Sequence, residues 1–292
     1  MITTRVTGHE PRHPKANPPR QPRAIPKEVM PHWKLILAYD GTGFHGWQVQ
    51  PNLPTVQGTL ATVLDHLTGE TVLPQGSGRT DSGVHALAQV VSFSLDAPIP
   101  PANLLRALNR ALPQSIRVLT AEHVSPDFHA RYNAIRKTYE YRIFPRVQPQ
   151  RDQPDQICPP FLAPFAWDCP WHIDLDRARQ ASAHILGEHD FTSFAAVDPE
   201  LRDGIRAEPR SAVRTIFCSN WLEENGLLVY RISGSGFLHH MVRNLVGTFV
   251  DAAASRTPPD AVPAILTARN RAAAGPTAPA RGLFLVSVEY AP

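Results

Sequence analysis

Cysteine is scarce in this chain: Cys158, Cys169 and Cys218 are spread over 292 residues and form no close CxxC pair. An odd thiol would be left over in any pairing scheme, so a disulfide framework is excluded, and reduced, partly buried thiols in a cytoplasmic compartment are the expectation. No apolar run is long enough to span a bilayer, and the N-terminal stretch lacks the apolar core of a signal peptide. No Lys-Ser/Thr pair follows a glycine run at P-loop spacing, which excludes a Walker loop. Charge of one sign is also missing. The formal net charge is +3, and residues 1 to 30 hold six basic side chains against Glu10 and Glu28, a surplus of four that leaves the rest at −1. A polyanionic partner must therefore be held by local basic clusters, not by the field of the whole molecule.

Proline, in contrast, is abundant, with 30 residues in a composition that is 42% hydrophobic and 19% charged. Six prolines fall before residue 27, where apolar periodicity is absent, so residues 1–31 read as a disordered basic tail. Residues 32–131 follow a β-α-β-α-β order: a strand at 33 to 39, a helix from Thr55 to Leu67 stopped by Gly69, a strand at 89 to 95, a helix over 102 to 112 and a strand at 116 to 124. Residues 132–292 continue with a strand at 138 to 144, a Pro-rich surface excursion at 145–171 and a helix capped by Asp174 that runs to Gly187. Strands at 213 to 219 and 227 to 233 are joined across Asn225-Gly226, the favoured hairpin dipeptide. A helix from His239 to about Ala254, another over 260 to 269 and a strand at 283 to 288 complete the chain. The expected fold class is α/β of the α+β type: two subdomains with largely antiparallel or mixed sheets flanked by helices, and a cleft between them.

Chemistry concentrates in Gly78-Arg79-Thr80-Asp81-Ser82-Gly83-Val84-His85-Ala86-Leu87. The segment places one carboxylate on a tight loop leading into a strand. A neighbouring guanidinium favours the ionised form of a carboxylate, which suits a nucleophile or ion-pair partner and not a general acid. Taken alone, an Asp between such neighbours is a turn residue bonding its own backbone. Asp81 and His85 are four apart but on loop and strand, so they make no confident metal site.

Two further clusters stand out. Arg131, Arg136, Lys137, Arg142 and Arg146 are interleaved with Tyr132, Tyr139, Tyr141 and Phe144. Cations with stacking rings suit unpaired RNA, and an amphipathic strand with core-facing rings and solvated arginines accounts for the same pattern. Arg202, Arg206, Arg210 and Arg214 read as a solvated or phosphate-binding loop, because Gly204 and Pro209 oppose a helix. Arg243 falls in the first turn of a helix, an unfavourable place for a cation, which a carboxylate or phosphate partner would explain. The adjacent His239 and His240 point in different directions, make a poor chelate and are expected to cap or pack the helix start.

Seven segments in order resemble the TruA family of tRNA pseudouridine synthases over nearly all of residues 33 to 290. They are Tyr39-Asp40-Gly41 with Gly46-Trp47-Gln48, the Asp81 segment, Asp127-Phe128-His129-Ala130-Arg131, Tyr139-Glu140-Tyr141, His189-Asp190-Phe191-Thr192-Ser193-Phe194, Phe237 to Asn244, and Gly282-Leu283-Phe284-Leu285-Val286. The resemblance implies a pseudouridine synthase fold and isomerisation of uridine to pseudouridine in the anticodon arm of tRNA, at tRNA positions 38 to 40, by a cytoplasmic homodimer without cofactor or metal. It implies that Asp81 is the nucleophile, at C1′ or C6, and that Arg243 pairs with it. It places Tyr139 against the target base, as stacking platform or as base for the C5 proton, and gives Arg79 the displacement of that base. His85, Arg131, Met241 and Leu283 fall at substrate-binding positions. The competing readings are a noncatalytic RNA-binding protein and a nucleosidase that frees uracil. The tail and the 145 to 171 stretch depart from the family pattern, and nothing is carried onto them.

Overall fold

The strand β1 (His32–Tyr39) buries Trp33, Leu35, Leu37 and Tyr39 while their neighbours stay half-exposed, as period-two patterning requires. It is one of ten strands in a computed structural model that describes residues 30–146, 157–197, 204, 208 and 211–291. The basic tail before Met30, the middle of the Pro-rich stretch, and Arg202, Arg206 and Arg210 lie outside the described residues. In chain order the remaining elements are α1 (Val56–Thr68), β2 (Gln75–Gly76), β3 (His85–Ser94), α2 (Pro101–Ala111), β4 (Ile116–Val124), β5 (Ala134–Pro145), β6 (Trp167–Cys169), α3 (Leu175–Ala183), β7 (Gly187–Asp190), β8 (Val213–Glu224), β9 (Leu227–Gly234), α4 (Met241–Ala253), α5 (Val262–Ala268) and β10 (Leu283–Tyr290).

Local signals explain most of the boundaries. Thr55 accepts a hydrogen bond from the Gly58 amide at the start of α1, and Gly69 ends that helix at φ +74. Asp174 accepts from the amides of Asp176 and Arg177 at the start of α3. Asn225 and Gly226, both at positive φ, turn β8 into β9.

Three segments differ from the sequence expectation. The helix after Asp174 stops at Ala183, not Gly187, because Gly187 sits at φ +90 and opens β7, which pairs with the edge of β8. The helix over 260 to 269 divides into a 3₁₀ turn at Pro259–Ala261 and α5, ended by Arg269 at φ +47. Within the Pro-rich stretch, β6 adds to β5 in parallel with Ile143 opposite Trp167, and Phe144, Cys158 and Ala166 bury one another in a small second core.

All ten strands join in one mixed, mostly antiparallel sheet with the order β4-β1-β3-β10-β5-β9-β8-β7, to which β2 and β6 add at the side. The last strand lies in the middle. β10 runs parallel to β3 through Phe284–His85 and Leu285–Ala86, and antiparallel to β5 through Leu283–Tyr141 and Leu285–Tyr139. One apolar core runs from Trp33, Leu60 and Leu104 in the first half to Tyr141, Phe191 and Phe249 in the second.

Helix α4 packs against the segment before β10 at Gly247, where an added Cβ would overlap the carbonyl oxygen of Pro276 and stand 2.8 Å from its carbon. The amide of Ala278 donates to the carbonyl of Arg243 at 3.1 Å, and the Arg243 Nε donates to the carbonyl of Ala278 at 2.8 Å, so this approach also places Arg243. Helix propensity alone favours Gly247→Ala by about 1 kcal/mol. The overlap reverses the sign: Gly247→Ala is expected to lower the free energy of unfolding by about 2 kcal/mol, and a stability equal to or above wild type in denaturant titration would refute this packing.

Candidate active site

Asp81 is held by a loop whose carbonyls are tied down one after another. The Lys137 ammonium donates to the Ser77 carbonyl at 2.6 Å, the Gln89 amide to Gly78 at 2.8 Å, and the Trp47 amide to Thr80 at 3.0 Å. Tyr39 and Thr80 hydroxyls meet at 2.9 Å, and the Ser77 hydroxyl donates to Gln89 at 2.7 Å. The loop closes when the Val84 amide donates back to the Asp81 carbonyl at 3.1 Å, with Gly83 at φ +77 making the turn. Backbone order on both sides leaves the Asp81 carboxylate projecting from a rigid base.

Three side chains from the start of α4 meet that carboxylate. Arg243 Nη1 donates to Oδ2 at 3.1 Å, His240 Nε2 lies 3.4 Å from Oδ2, and His239 Nε2 lies 3.6 Å from Oδ1. The unfavourable cation of the first turn thus has its carboxylate partner, 162 residues away in sequence. Of the two roles expected at the helix start, capping or packing, His240 occupies the N-cap position without a side-chain cap hydrogen bond, and the two rings, expected to point in different directions, both approach Asp81. His240 takes φ +59, a costly conformation for a side chain of this size, and this bend brings the two rings to 4.0 Å on one side of the backbone. The His239 Nδ1–H donates to the Val197 carbonyl at 3.0 Å, which turns its Nε2 toward Asp81. Burial, only partly offset by Asp81, holds His240 below the usual histidine range, so its ring is neutral near neutral pH. Asp81, His239 and His240 together offer three ligand atoms within 4.8 Å of one another. The guanidinium on Oδ2 opposes a second cation there, so the donor set fits an ion pair better than a metal centre.

Tyr139 stands on β5, 8% exposed, with its ring edge-on to Phe237 at 5.0 Å. Burial, then Tyr39 and Asp81, push its phenol above the ordinary range. The structure therefore brings Asp81, Arg243 and Tyr139 together. Met241, the first residue of α4, and Leu283, opposite Tyr141 at the start of β10, are buried on the elements that carry them. Arg79 is exposed next to Asp81, and its Nε donates to Gln48 at 3.1 Å. Arg131 lies in the turn before β5, half-buried.

His85 is 1% exposed and sits behind the loop. The Gly41 amide donates to its Nδ1 at 3.1 Å, its Nε2 donates to the Pro164 carbonyl at 3.2 Å, and its ring stacks on Phe284 at 4.6 Å. Asp40 Oδ1 also lies 3.2 Å from Nδ1. Burial outweighs that carboxylate and lowers the histidine pKa, so the ring is neutral and Nδ1 accepts from Gly41; the Asp40 contact is not a charged pair.

The basic and aromatic run on β5 is divided by the sheet. Tyr141 is fully buried and its hydroxyl donates to the Pro279 carbonyl at 2.7 Å. Arg136, Arg142 and Arg146 pair with Glu289, Glu140 and Asp168. Arg142 also lies over Phe284 at 3.9 Å. Sequence reasoning quoted Glu140 within its segment but gave it no role, because it is one acid among cations on an alternating strand. It is 7% exposed and accepts from Arg142 and Arg231, each at 2.8 Å.

A family model described as tRNA pseudouridine synthase matches residues 35–133 and 181–291. With a mixed sheet flanked by helices and a single carboxylate loop facing α4, this defines the class of protein: the chain belongs to the tRNA pseudouridine synthase family. It is 50% identical over 257 residues to a tRNA pseudouridine synthase A of Solibacter usitatus, covering 88% of this chain and 98% of the relative. Similar proteins of the same name come from Moorella thermoacetica, at 45% identity over 89% of this chain and all of the relative, and Bacillus subtilis, at 39% over 88% and 98%.

Glu140 underpins the site, and its titration has a definite sign. Burial raises its pKa, but the hydrogen bonds and charges of Arg231 and Arg142 together lower it below the usual glutamate range. A depressed native pKa contributes stability above the unfolded pKa, about 4.3, that is lost as pH falls through the native value. Glu140→Gln is expected to cost about 1–3 kcal/mol at pH 7, with the gap from wild type closing toward the acid end. Denaturant titration across pH checks this, and a gap independent of pH would refute it.

Proposed function

We propose that this chain converts uridine to pseudouridine in the anticodon stem-loop of tRNA, at positions 38 to 40, with Asp81 as nucleophile. The observation that carries the assignment is the Asp81–Arg243 pair at 3.1 Å, set beside the buried Tyr139 ring on β5. The reaction is an isomerisation: N1–C1′ breaks, C5–C1′ forms, C5 loses a proton and N1 gains one. Atoms and electrons balance within the substrate, so no redox partner is required. An ionised carboxylate can bond to C1′ as uracil departs, or add to C6, and it is released when C5 takes the glycosidic position. The two points of attack leave different atoms bonded to Asp81.

A uracil inside a stem is stacked and must be turned out before its glycosidic bond is reachable. Arg79, exposed beside Asp81, takes the place of the target base in the stack. Tyr139 lies against the extruded base as its wall; a phenol whose pKa is raised by burial suits this better than the role of a resting phenolate base. Met241 and Leu283 close the apolar side, Arg131 meets the RNA backbone, and His85 supports the loop from behind. The residues divide between the two halves proposed from sequence, 32–131 and 132–292, with Asp81 on the first and Tyr139 and Arg243 on the second. Two copies of the chain pool the basic surface that a nearly neutral body lacks, and the enzyme works as a homodimer in the cytoplasm. None of the described helices is long and apolar enough to cross a membrane.

Release of tritium from C5-labelled uridine in tRNA tests the assignment. Wild type is expected to release tritium while uracil stays joined to the ribose; free uracil would identify a nucleosidase, and tight binding with no release a noncatalytic RNA-binding protein. Asp81→Asn is expected to abolish turnover while leaving tRNA affinity within about tenfold, because phosphate contacts dominate binding. A large loss of affinity would make Asp81 structural instead.

A further inference from the structure

Lys137 does more than tether the loop. It lies two residues before Tyr139 on β5, on the same strand face and roughly 6.8 Å along it. Its ammonium, half-buried, donates to the Ser77 carbonyl at 2.6 Å and would stand 3.4 Å from a Cβ added at Gly78. Its strand partner on β9 is Gly234, and two residues further on, a Cβ at Gly236 would stand 3.6 Å from Arg214 Nε. The Arg214 guanidinium is anchored by the carbonyls of Ser211 and Val213. A Cβ added at Gly234 would stand 2.8 Å from the carbonyl oxygen of Thr215, the residue after Arg214, so the strand neighbour of Lys137 packs directly on the segment that carries Arg214.

Among the described residues Lys137, Arg131 and Arg214 make no ion pair with an acid. Burial first, and then Arg131 and Arg214, bring the Lys137 pKa down to about 8, so the cluster is held together against its own repulsion. Cations gathered in this way without a counter-charge are stabilised by an anion that binds among them.

We propose that Lys137, Arg131 and Arg214 form a seat for one backbone phosphate of the substrate RNA, and that Lys137 links this phosphate to the position of the Asp81 loop through Ser77. The proposal rests on tRNA as substrate. Lys137 is then a positioning residue: it touches the loop and the phosphate, and the reacting atoms only through Asp81.

The test uses the full chain and a synthetic anticodon stem-loop RNA carrying one neutral methylphosphonate at a time. One position is expected to weaken wild-type binding about tenfold and to leave Lys137→Met binding unchanged, since the contact is already gone. Lys137→Met and Arg214→Gln should each flatten the dependence of log affinity on log salt by about one unit or slightly less, and Lys137→Arg should restore it. Lys137→Met should also lower kcat, as the loop loses its tether, while Arg214→Gln acts more on KM. Methylphosphonates that weaken wild type and Lys137→Met alike at every position, or an unchanged salt slope in both variants, would overturn the phosphate seat. Reduced thermal stability with a wild-type slope would also overturn it, reducing Lys137 to a strut. Binding is read independently of turnover: a wild type that releases no tritium refutes the functional assignment and leaves the phosphate result to stand or fall separately. Inorganic phosphate competing as well as the RNA would also overturn an RNA-backbone seat.

Discussion

Two residue pairs between the last strand and the third, Phe284 with His85 and Leu285 with Ala86, hold the halves of this chain in one sheet. The loop carrying Asp81 ends where β3 begins, and Tyr139 lies across β10 from it on β5. This parallel pairing joins strands far apart in sequence, so forming the junction carries a large loop-closure entropy cost that the contacts around it must offset. The buried stack of His85 on Phe284 and Arg142, with Glu140 beneath it, stabilises the same junction. Packing and electrostatics here serve one geometric result: a loop from one half faces a helix from the other.

The site stores cost as well as order. His240 holds a left-handed backbone, two imidazole rings crowd one carboxylate, and three cations stand together without an acid paired to them among the described residues. Such arrangements persist where the surrounding structure over-determines them. Here Gly247 against Pro276, Arg243 against Ala278 and Lys137 against Ser77 supply that constraint. The charge distribution is consistent with this local design. With the body almost neutral, affinity for a polyanion has to come from a few placed cations beside the chemistry.

Most of the elements were legible because their signals are local. Thr55, Gly69, Asp174 and Asn225-Gly226 act within a few residues, and the alternation of β1 needs only one covered face. The same logic fails at Gly187, where β7 exists because the edge of β8 offers hydrogen bonds that no neighbour in sequence announces. The cationic first turn of α4 did call for a partner, but composition could not choose between a carboxylate and a phosphate.

Local patterning thus determined most of the strands, the caps at Thr55 and Asp174, the Asp81 turn and the need for a counter-charge at Arg243, since each follows from contacts spanning a few residues. Tertiary structure decided which groups meet. The convergence of His239 and His240 on Asp81 depends on one backbone angle at His240, and the junction of Lys137 with Ser77 depends on a sheet order in which the final strand enters the middle. Hydrogen bonds between residues 60 to 162 positions apart are set by that order, and no periodicity in the chain encodes it.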